Sequence, residues 1–338
     1  MKALSRIQTF AIPARVLRNY FRNKPLVVSF EVTLSCIARC RHCDTGGYRP
    51  NEQKLAPEEY RRYISELQPA VVQLSGGEPL LRKDLPEIVK VIKGDGCLPY
   101  VIVVTNGYLL NEQKYLELRE AGADRFSVSL DFPNEKHDDF RRVPGLYAHL
   151  EQLIPRLASY GYGDVAMNCA ITRANLPYLR EAAAKCKEWG VAISYSAYSI
   201  LRTGDPQYSI SDEDDLETLR ETIQDLIAMK HVSGRRVRGT RNGAGILNST
   251  SVLSDIYRFF KDGCIPDCNA GLRFLVVRPE GVLNACSMHR DRRYTSQEEM
   301  LEDFSAHNEC EGCYVAIRAY SDKSLWLLFK DAIELIRH

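Results

Sequence analysis

Long apolar runs are missing from this chain. No stretch of its 338 residues approaches the ~18–20 apolar residues that a membrane-spanning helix needs, which argues against a helical membrane protein. The N-terminus has no uninterrupted apolar segment with a cleavage site, so no signal peptide is read and a cytoplasmic location is expected. Charge of one sign is not in excess either. Lys and Arg total 45 against 44 Asp and Glu, a balance that speaks against a nucleic-acid partner. There is no internal repeat and no low-complexity tract. What is plentiful is cysteine, with eleven residues. A disulfide framework belongs to small secreted domains rather than to a chain of this size without a signal. Spacing points elsewhere: Cys36, Cys40 and Cys43 lie within eight residues, and Cys310 and Cys313 form a CxxC.

The middle of the chain alternates apolar β-like runs with amphipathic stretches. Strands are expected at Val27–Thr33, Val71–Ser75, Val101–Thr105, Phe126–Asp131, Val165–Ile171 and Val191–Ala197. Helices are expected near Pro57–Leu67, Leu85–Lys93, Glu112–Ala121, Tyr147–Tyr160 and Leu176–Trp189. Five helices separating six strands is a (β/α)6 pattern, an α/β unit with parallel pairing and right-handed crossovers. Such a partial barrel presents its site at the C-terminal strand ends. After Ser211 come an acidic helix (Asp212–Lys230), a basic Gly-rich stretch around Ser233–Gly245 and a helix near Val252–Phe260. Phe274–Val277 and Val282–Ala285 flank a turn and read as a hairpin. A last helix is expected from Lys323 to Arg337.

Cys36-x3-Cys40-x2-Cys43 directly follows the first strand. Three thiolates on one tight loop can hold three irons of a [4Fe–4S] cube and leave the fourth open for a ligand. A zinc site is the alternative, but it wants a fourth nearby donor; His42 is available, yet its place between two cysteines makes joint ligation awkward.

The segment Cys36-Ile-Ala-Arg-Cys40-Arg-His-Cys43 resembles the signature of the radical S-adenosylmethionine (SAM) superfamily. Further segments follow where that family would put them. Ser75-Gly76-Gly77-Glu78-Pro79 ends the second strand, Thr105-Asn106-Gly107 the third and Ser129-Leu130-Asp131 the fourth, followed by His137-Asp138 and Arg141. The resemblance implies that Gly76, Gly77 and Glu78 hold the SAM amino group, with Pro79 fixing the turn. Without Cβ atoms, the two glycines let backbone carbonyls approach a ligand. Ser129 and Asp131 suit a ribose or methionine head group, with an ordinary Asx turn as the plainer reading. Arg141 could pair with the methionine carboxylate in bidentate fashion, or be a surface charge. Asn106 and Asn168 are either site residues or caps. By the same resemblance, the reduced cluster cleaves SAM to a 5′-deoxyadenosyl radical that takes hydrogen from a substrate carbon. An external donor such as flavodoxin or ferredoxin supplies the electron.

Cys264, Cys268, Cys286, Cys310 and Cys313 are five cysteines within fifty residues. Their pattern resembles the auxiliary-cluster region called a twitch domain, a shorter relative of the SPASM domain, which carries further cysteines after the CxxC. None follows Cys313 here. The resemblance implies one auxiliary [4Fe–4S] cluster on Cys268, Cys286, Cys310 and Cys313, with Cys264 as a competing ligand and structural zinc as the alternative. Cys186 falls on an apolar helix face and reads as core; Cys169, after Asn168 on the fifth strand, either is buried or reaches the active site.

The domain layout expected is an arm at 1–24, the core at 25–201, a helical linker at 202–263 and the auxiliary-cluster domain at 264–338. The arm carries Lys2, Arg6, Arg15, Arg18, Arg22 and Lys24 and no acids, with Val16, Leu17, Tyr20 and Phe21 on one helical face. It fits either a helix packed on the barrel or an interfacial helix touching anionic lipid, which would make the protein peripherally membrane-associated. It weakly resembles the lead-in of radical SAM enzymes acting on hopanoid lipids. Arg235, Arg236, Arg238 and Arg241 are candidates for an anion or a plain loop. Only about 25 residues precede the first strand, too few for the leader-recognition module of peptide-modifying relatives. Three substrate classes stay open: a lipid or isoprenoid, a sugar or aminocyclitol alcohol for dehydrogenation, and a ribosomal peptide. A zinc or iron–sulfur scaffold without SAM chemistry is the non-enzymatic alternative.

Overall fold

A computed structural model describes residues 6–233 and 245–337. Arg235, Arg236, Arg238 and Arg241 lie outside the described residues. The chain opens with helix α1 (Arg6–Phe21) and strand β1 (Val27–Thr33), then runs through α2 (Tyr60–Leu67), β2 (Val71–Gly76), α3 (Leu85–Lys93) and β3 (Tyr100–Thr105). Next come α4 (Glu112–Ala121), β4 (Arg125–Ser129), the short α5 (Lys136–Arg141), α6 (Leu146–Ser159), β5 (Val165–Ile171), α7 (Leu179–Glu188) and β6 (Ala192–Ala197). The remainder is α8 (Glu213–Ser233), α9 (Thr250–Asp262), β7 (Phe274–Val277), β8 (Leu283–Asn284), α10 (Gln297–Asp303), α11 (Ala316–Ser321) and α12 (Leu325–Arg337). Asp131 falls beyond β4, which ends two residues before the expected strand does.

The strands form one sheet in the order β6-β5-β4-β3-β2-β1-β7-β8, parallel from β6 to β7, with β8 antiparallel at the end. The expected hairpin therefore does not stand apart: β7 pairs with β1, with Ser29 opposite Val276 and Phe30 opposite Val277. The sheet faces differ by strand alternation. Outward residues such as Val28, Phe30, Leu74, Val103, Phe126 and Met167 are almost wholly buried beneath the helices. Each contributes roughly 1.5–3 kcal/mol by leaving water. Phe30 meets the rings of Tyr60 and Tyr63 from α2 edge-on. Inward positions on β2, β3 and β4, among them Gln73, Ser75, Ile102, Ser127 and Ser129, keep partial exposure, so the lumen is accessible and largely polar. Cys169 and Cys186 are both buried in the core.

The helices follow from spacing and caps. In α3, Leu85, Ile88, Val89 and Ile92 form a buried stripe, with Lys90 and Lys93 in the last turn where the helix dipole favours cations. Asn111 caps α4 by accepting from Lys114 N at 2.8 Å, and Ser249 caps α9 through Val252 N. α11 packs against β6, one edge strand of the sheet, and β7, which lies next to the other edge.

α1 is docked on the barrel. Buried Asn19 donates to Pro25 O and Gln68 O, Gln8 donates to Asp124, and Arg273 stacks over Tyr20 at 3.5 Å. The apolar face expected on this helix is divided: Val16 and Tyr20 pack on the core, whereas Leu17 and Phe21 face out with Ile7 and Phe10.

Candidate active site

The three clustered cysteines sit on a loop closed by its own backbone. Cys36 N donates to Gly47 O at 2.8 Å, Gly47 N to Ala38 O, and Cys43 N to Cys40 O. Glu52 holds the entrance by accepting from Thr33 Oγ1 and Leu34 N. Each sulfur receives N–H donors. Cys36 Sγ accepts from Ala38 N at 3.4 Å and lies 3.9 Å from Asn106 Nδ2; Cys43 Sγ accepts from Thr45 N and Arg202 Nη2; Cys40 Sγ lies 3.7 Å from Arg141 Nη1. Donors aimed at sulfur favour thiolate, the form that binds metal. Burial works against it, pushing the Cys36 thiol up to about 12, so a cationic cluster would complete the balance. All three are free thiols. Among the described residues no three His, Cys, Asp or Glu side chains close on one point as a single metal ion requires. A four-iron cube, by contrast, takes its ligands at separate corners.

Gly76 and Gly77, expected to be glycines for the sake of a ligand, are crowded by the chain itself. A Cβ on Gly76 would stand 2.2 Å from Thr33 O, and one on Gly77 2.2 Å from Ser35 O. Gly77 N and Glu78 N donate to those same two carbonyls. The close approach is thus to the strand that leads into the cysteine loop. The Glu78 carboxylate, fully buried, is held by Thr105 Oγ1 (2.7 Å), Asn106 N (2.8 Å) and Leu80 N (3.1 Å). Burial pushes its pKa up against those three bonds. Glu78 therefore ties the end of β2 to the end of β3, and Pro79 starts the turn after it. Asn106 both points Nδ2 at Cys36 and closes an Asx turn to Tyr108 N.

Asp131 and Arg141 pair with each other at 2.6 Å, both deeply buried. Burial alone would push Asp131 up, but Arg141, His42 and His137 together hold it below the usual carboxylate range. His137 Nδ1 accepts from Asp131 N, while its Nε2, like His42 Nδ1, is buried without a partner. His42 stacks on Phe140 at 4.8 Å, joining an aromatic group of Phe132, Phe140, Tyr198 and Tyr208, and burial pulls its pKa down to about 4. Asp138 is taken up by the backbone of Gly145 and Tyr147. Ser129 and Asn168 are neighbours in register on the partly exposed lumen wall, and Asn168 accepts from Ser194.

Sequence reasoning missed a group at the same mouth. Arg202, just past β6, and Arg290, from the C-terminal region, both bind Asp44, which follows the third cysteine. Beside them Arg278 pairs with Glu31 of β1. Only the position of Asp44 next to Cys43 hinted at this; Arg202 and Arg290 carry no local signal.

Among the C-terminal cysteines, Cys286 is raised by burial and by Cys313 and Cys268 nearby, and Cys268 by burial and Cys313. His289 lies beside Cys310 and holds its thiol below the ordinary value. Buried Arg318 donates to Cys313 O, Ile265 O and Pro266 O, bracing the segment. Cys264 differs: the charges acting on it are Glu311, Asp262 and Arg258.

A parallel partial barrel with a three-cysteine loop at its mouth defines the class. Residues 30–177 match the family model described as the radical SAM superfamily, so the chain carries a radical SAM domain. Members bind a [4Fe–4S] cluster and SAM, and the donor set around Cys36, Cys40 and Cys43 fits the cluster. An AdoMet-dependent heme synthase of Oleidesulfovibrio alaskensis is 32% identical over 183 residues, covering 53% of this chain and 46% of that protein. One from Methanosarcina barkeri is 34% identical over 194 residues, covering 54% and 52%. A GTP 3′,8-cyclase of Aquifex aeolicus is 31% identical over 191 residues, covering 54% and 59%. The chain spans about half the length of the curated relatives it matches. The crystal structure of Streptococcus suis SuiB bound to S-adenosylmethionine aligns with a TM-score of 0.60 at 16% identity, covering 90% of this chain and 67% of that one, a likeness of fold.

Proposed function

We propose that this protein is a SAM-cleaving radical enzyme acting on a substrate bound in the barrel mouth. The observation that carries the reading is the three thiols with N–H donors on each sulfur, next to an accessible polar lumen. When bound and reduced, the cluster and SAM supply a 5′-deoxyadenosyl radical that abstracts a substrate hydrogen. The chain's own part is positioning and exclusion of water. Glu78 sets the Gly76–Gly77 turn; Arg141 offers Cys40 a donor while Asp131 holds it; Ser129, Asn106 and Asn168 face the space where SAM would lie. Cys268, Cys286, Cys310 and Cys313 serve an auxiliary [4Fe–4S] cluster in this reading.

Heme synthases and a GTP cyclase among the relatives favour a small-molecule substrate over a peptide, although SuiB has also been crystallised with its precursor peptide SuiA. A second reading concerns location. Among the described residues no helix is long and apolar enough to cross a membrane. The exposed stripe Ile7, Phe10, Leu17 and Phe21 on an arm without acids supports peripheral contact with anionic lipid. The deciding assay is 5′-deoxyadenosine formation by anaerobically reconstituted, reduced protein, with and without a lipid extract. Turnover that disappears in Cys36→Ala supports the reading; none despite a filled cluster ends it.

A further inference from the structure

Three segments far apart in sequence meet beside the cysteine loop and surround it with cations. Arg202 lies past β6, one edge strand of the sheet; Arg278 follows β7 and Arg290 lies beyond β8, at the other end of the sheet. Arg290 donates to Asp44 Oδ2 at 2.7 Å and Thr45 Oγ1 at 3.2 Å. Arg202 donates to Asp44 Oδ1 at 3.1 Å and to Thr45. Arg278 takes Glu31. Three guanidiniums therefore share two carboxylates, and beyond these and Thr45 only Arg202 has a further acceptor there, the Cys43 sulfur. Arg290 Nε is buried and has no acceptor. A buried donor left unpaired is costly unless a ligand completes it. Burial first, then Arg202 and Arg278, push the Arg290 guanidinium down from its ordinary value, with Glu31 and Asp44 acting the other way. The side chains keep access to solvent, with Arg202 21% and Arg290 24% exposed.

We propose that Arg290, with Arg202 and Arg278, binds an oxyanion of the substrate, carboxylate or phosphate, and so holds the substrate at the barrel mouth beside the cysteine loop. This rests on the radical SAM reading of the same mouth. The planar fork of arginine suits either oxyanion in bidentate geometry. Asp44 and Thr45 then act as the hinge through which the anion is registered to the cluster loop, since they directly follow Cys43.

The test is calorimetric titration of reconstituted, SAM-loaded protein with pyrophosphate and, separately, with tricarballylate. Saturable binding of at least one anion is expected, weakened tenfold or more in Arg290→Gln and partly kept in Arg290→Lys, with iron content and SAM affinity unchanged. The preferred probe identifies phosphate or carboxylate as the group read. Binding of neither anion, or equal binding by Arg290→Gln and the parent protein, overturns the proposal. So does a loss of SAM affinity in step with the anion, which would give Arg290 to the SAM site. Failure of the parent protein to form 5′-deoxyadenosine would instead count against the radical reading, and the anion titration stands apart from it.

Discussion

Arg141 Nε donates to Asp131 Oδ2 at 2.6 Å while its Nη1 stands 3.7 Å from Cys40 Sγ, so one buried ion pair links the end of β4 to the cysteine loop. Removing one partner of such a pair leaves a buried charge alone, which costs about 3–5 kcal/mol. Asp131→Asn is expected to lower the urea stability of the protein by an amount in that range and to reduce iron retained after desalting. The double variant with Arg141→Gln should cost less than the two single losses added together.

Gly77 is held against Ser35 O so closely that any side chain collides with backbone. Gly77→Ala is expected to prevent stable iron loading. Gly145→Ala is the control: its φ is positive, unlike that of Gly77, but nothing lies within 4 Å, so a cost of about 1 kcal/mol is expected with iron loading intact. Thermal melts and iron assays on both variants read the difference.

The Glu78 carboxylate accepts three hydrogen bonds in full burial. Glu78→Ala would strand Thr105 Oγ1 and Asn106 N, and hydrogen bonds to charged groups contribute about 1.5–3 kcal/mol each. A lower melting temperature together with weaker SAM binding by equilibrium dialysis is expected. Unchanged SAM affinity would mean that the turn keeps its shape without this brace.

Acid should weaken the contact between Arg82 and Asp84. Arg82 is anchored by Val32 O and Leu55 O, and its bond to Asp84 holds that carboxyl below its ordinary value. A depressed folded-state pKa stabilises above the unfolded value, near 3.9, and that contribution is lost as pH falls through the lowered one. The stability gap between the parent protein and Asp84→Asn should be widest at pH 7, begin to narrow around pH 4, and vanish at lower pH. Asp84 is about a third exposed, so the gap is expected to be small and salt-sensitive.

Iron content separates the C-terminal cysteines. Cys286→Ala is expected to lose about half the bound iron, whereas Cys264→Ala, whose neighbours are Glu311, Asp262 and Arg258, should keep it. Equal loss in both variants would restore Cys264 as a ligand.

Local pattern carried much of this protein. Alternating apolar runs placed all six core strands within a residue or two, and β1 and β5 to the residue, because strand and helix periodicities are properties of neighbouring positions. The spacing of Cys36, Cys40 and Cys43 likewise marked the loop proposed to hold the cluster, since ligands on one tight loop are close in sequence as well as in space. The short helices α5, α10 and α11 were not legible, being too brief to show a period.

Only the tertiary structure decided how distant segments meet. It paired β7 with β1 and so carried Arg278 to Glu31, placed Arg202 and Arg290 on Asp44, and turned Asp131 and Arg141 toward each other. It also divided the apolar face of α1 into a docked side and an exposed one. The physical reason is that charge pairing and register act between side chains separated by dozens or hundreds of residues. Nothing in the spacing of such residues along the chain encodes which partner each one finds.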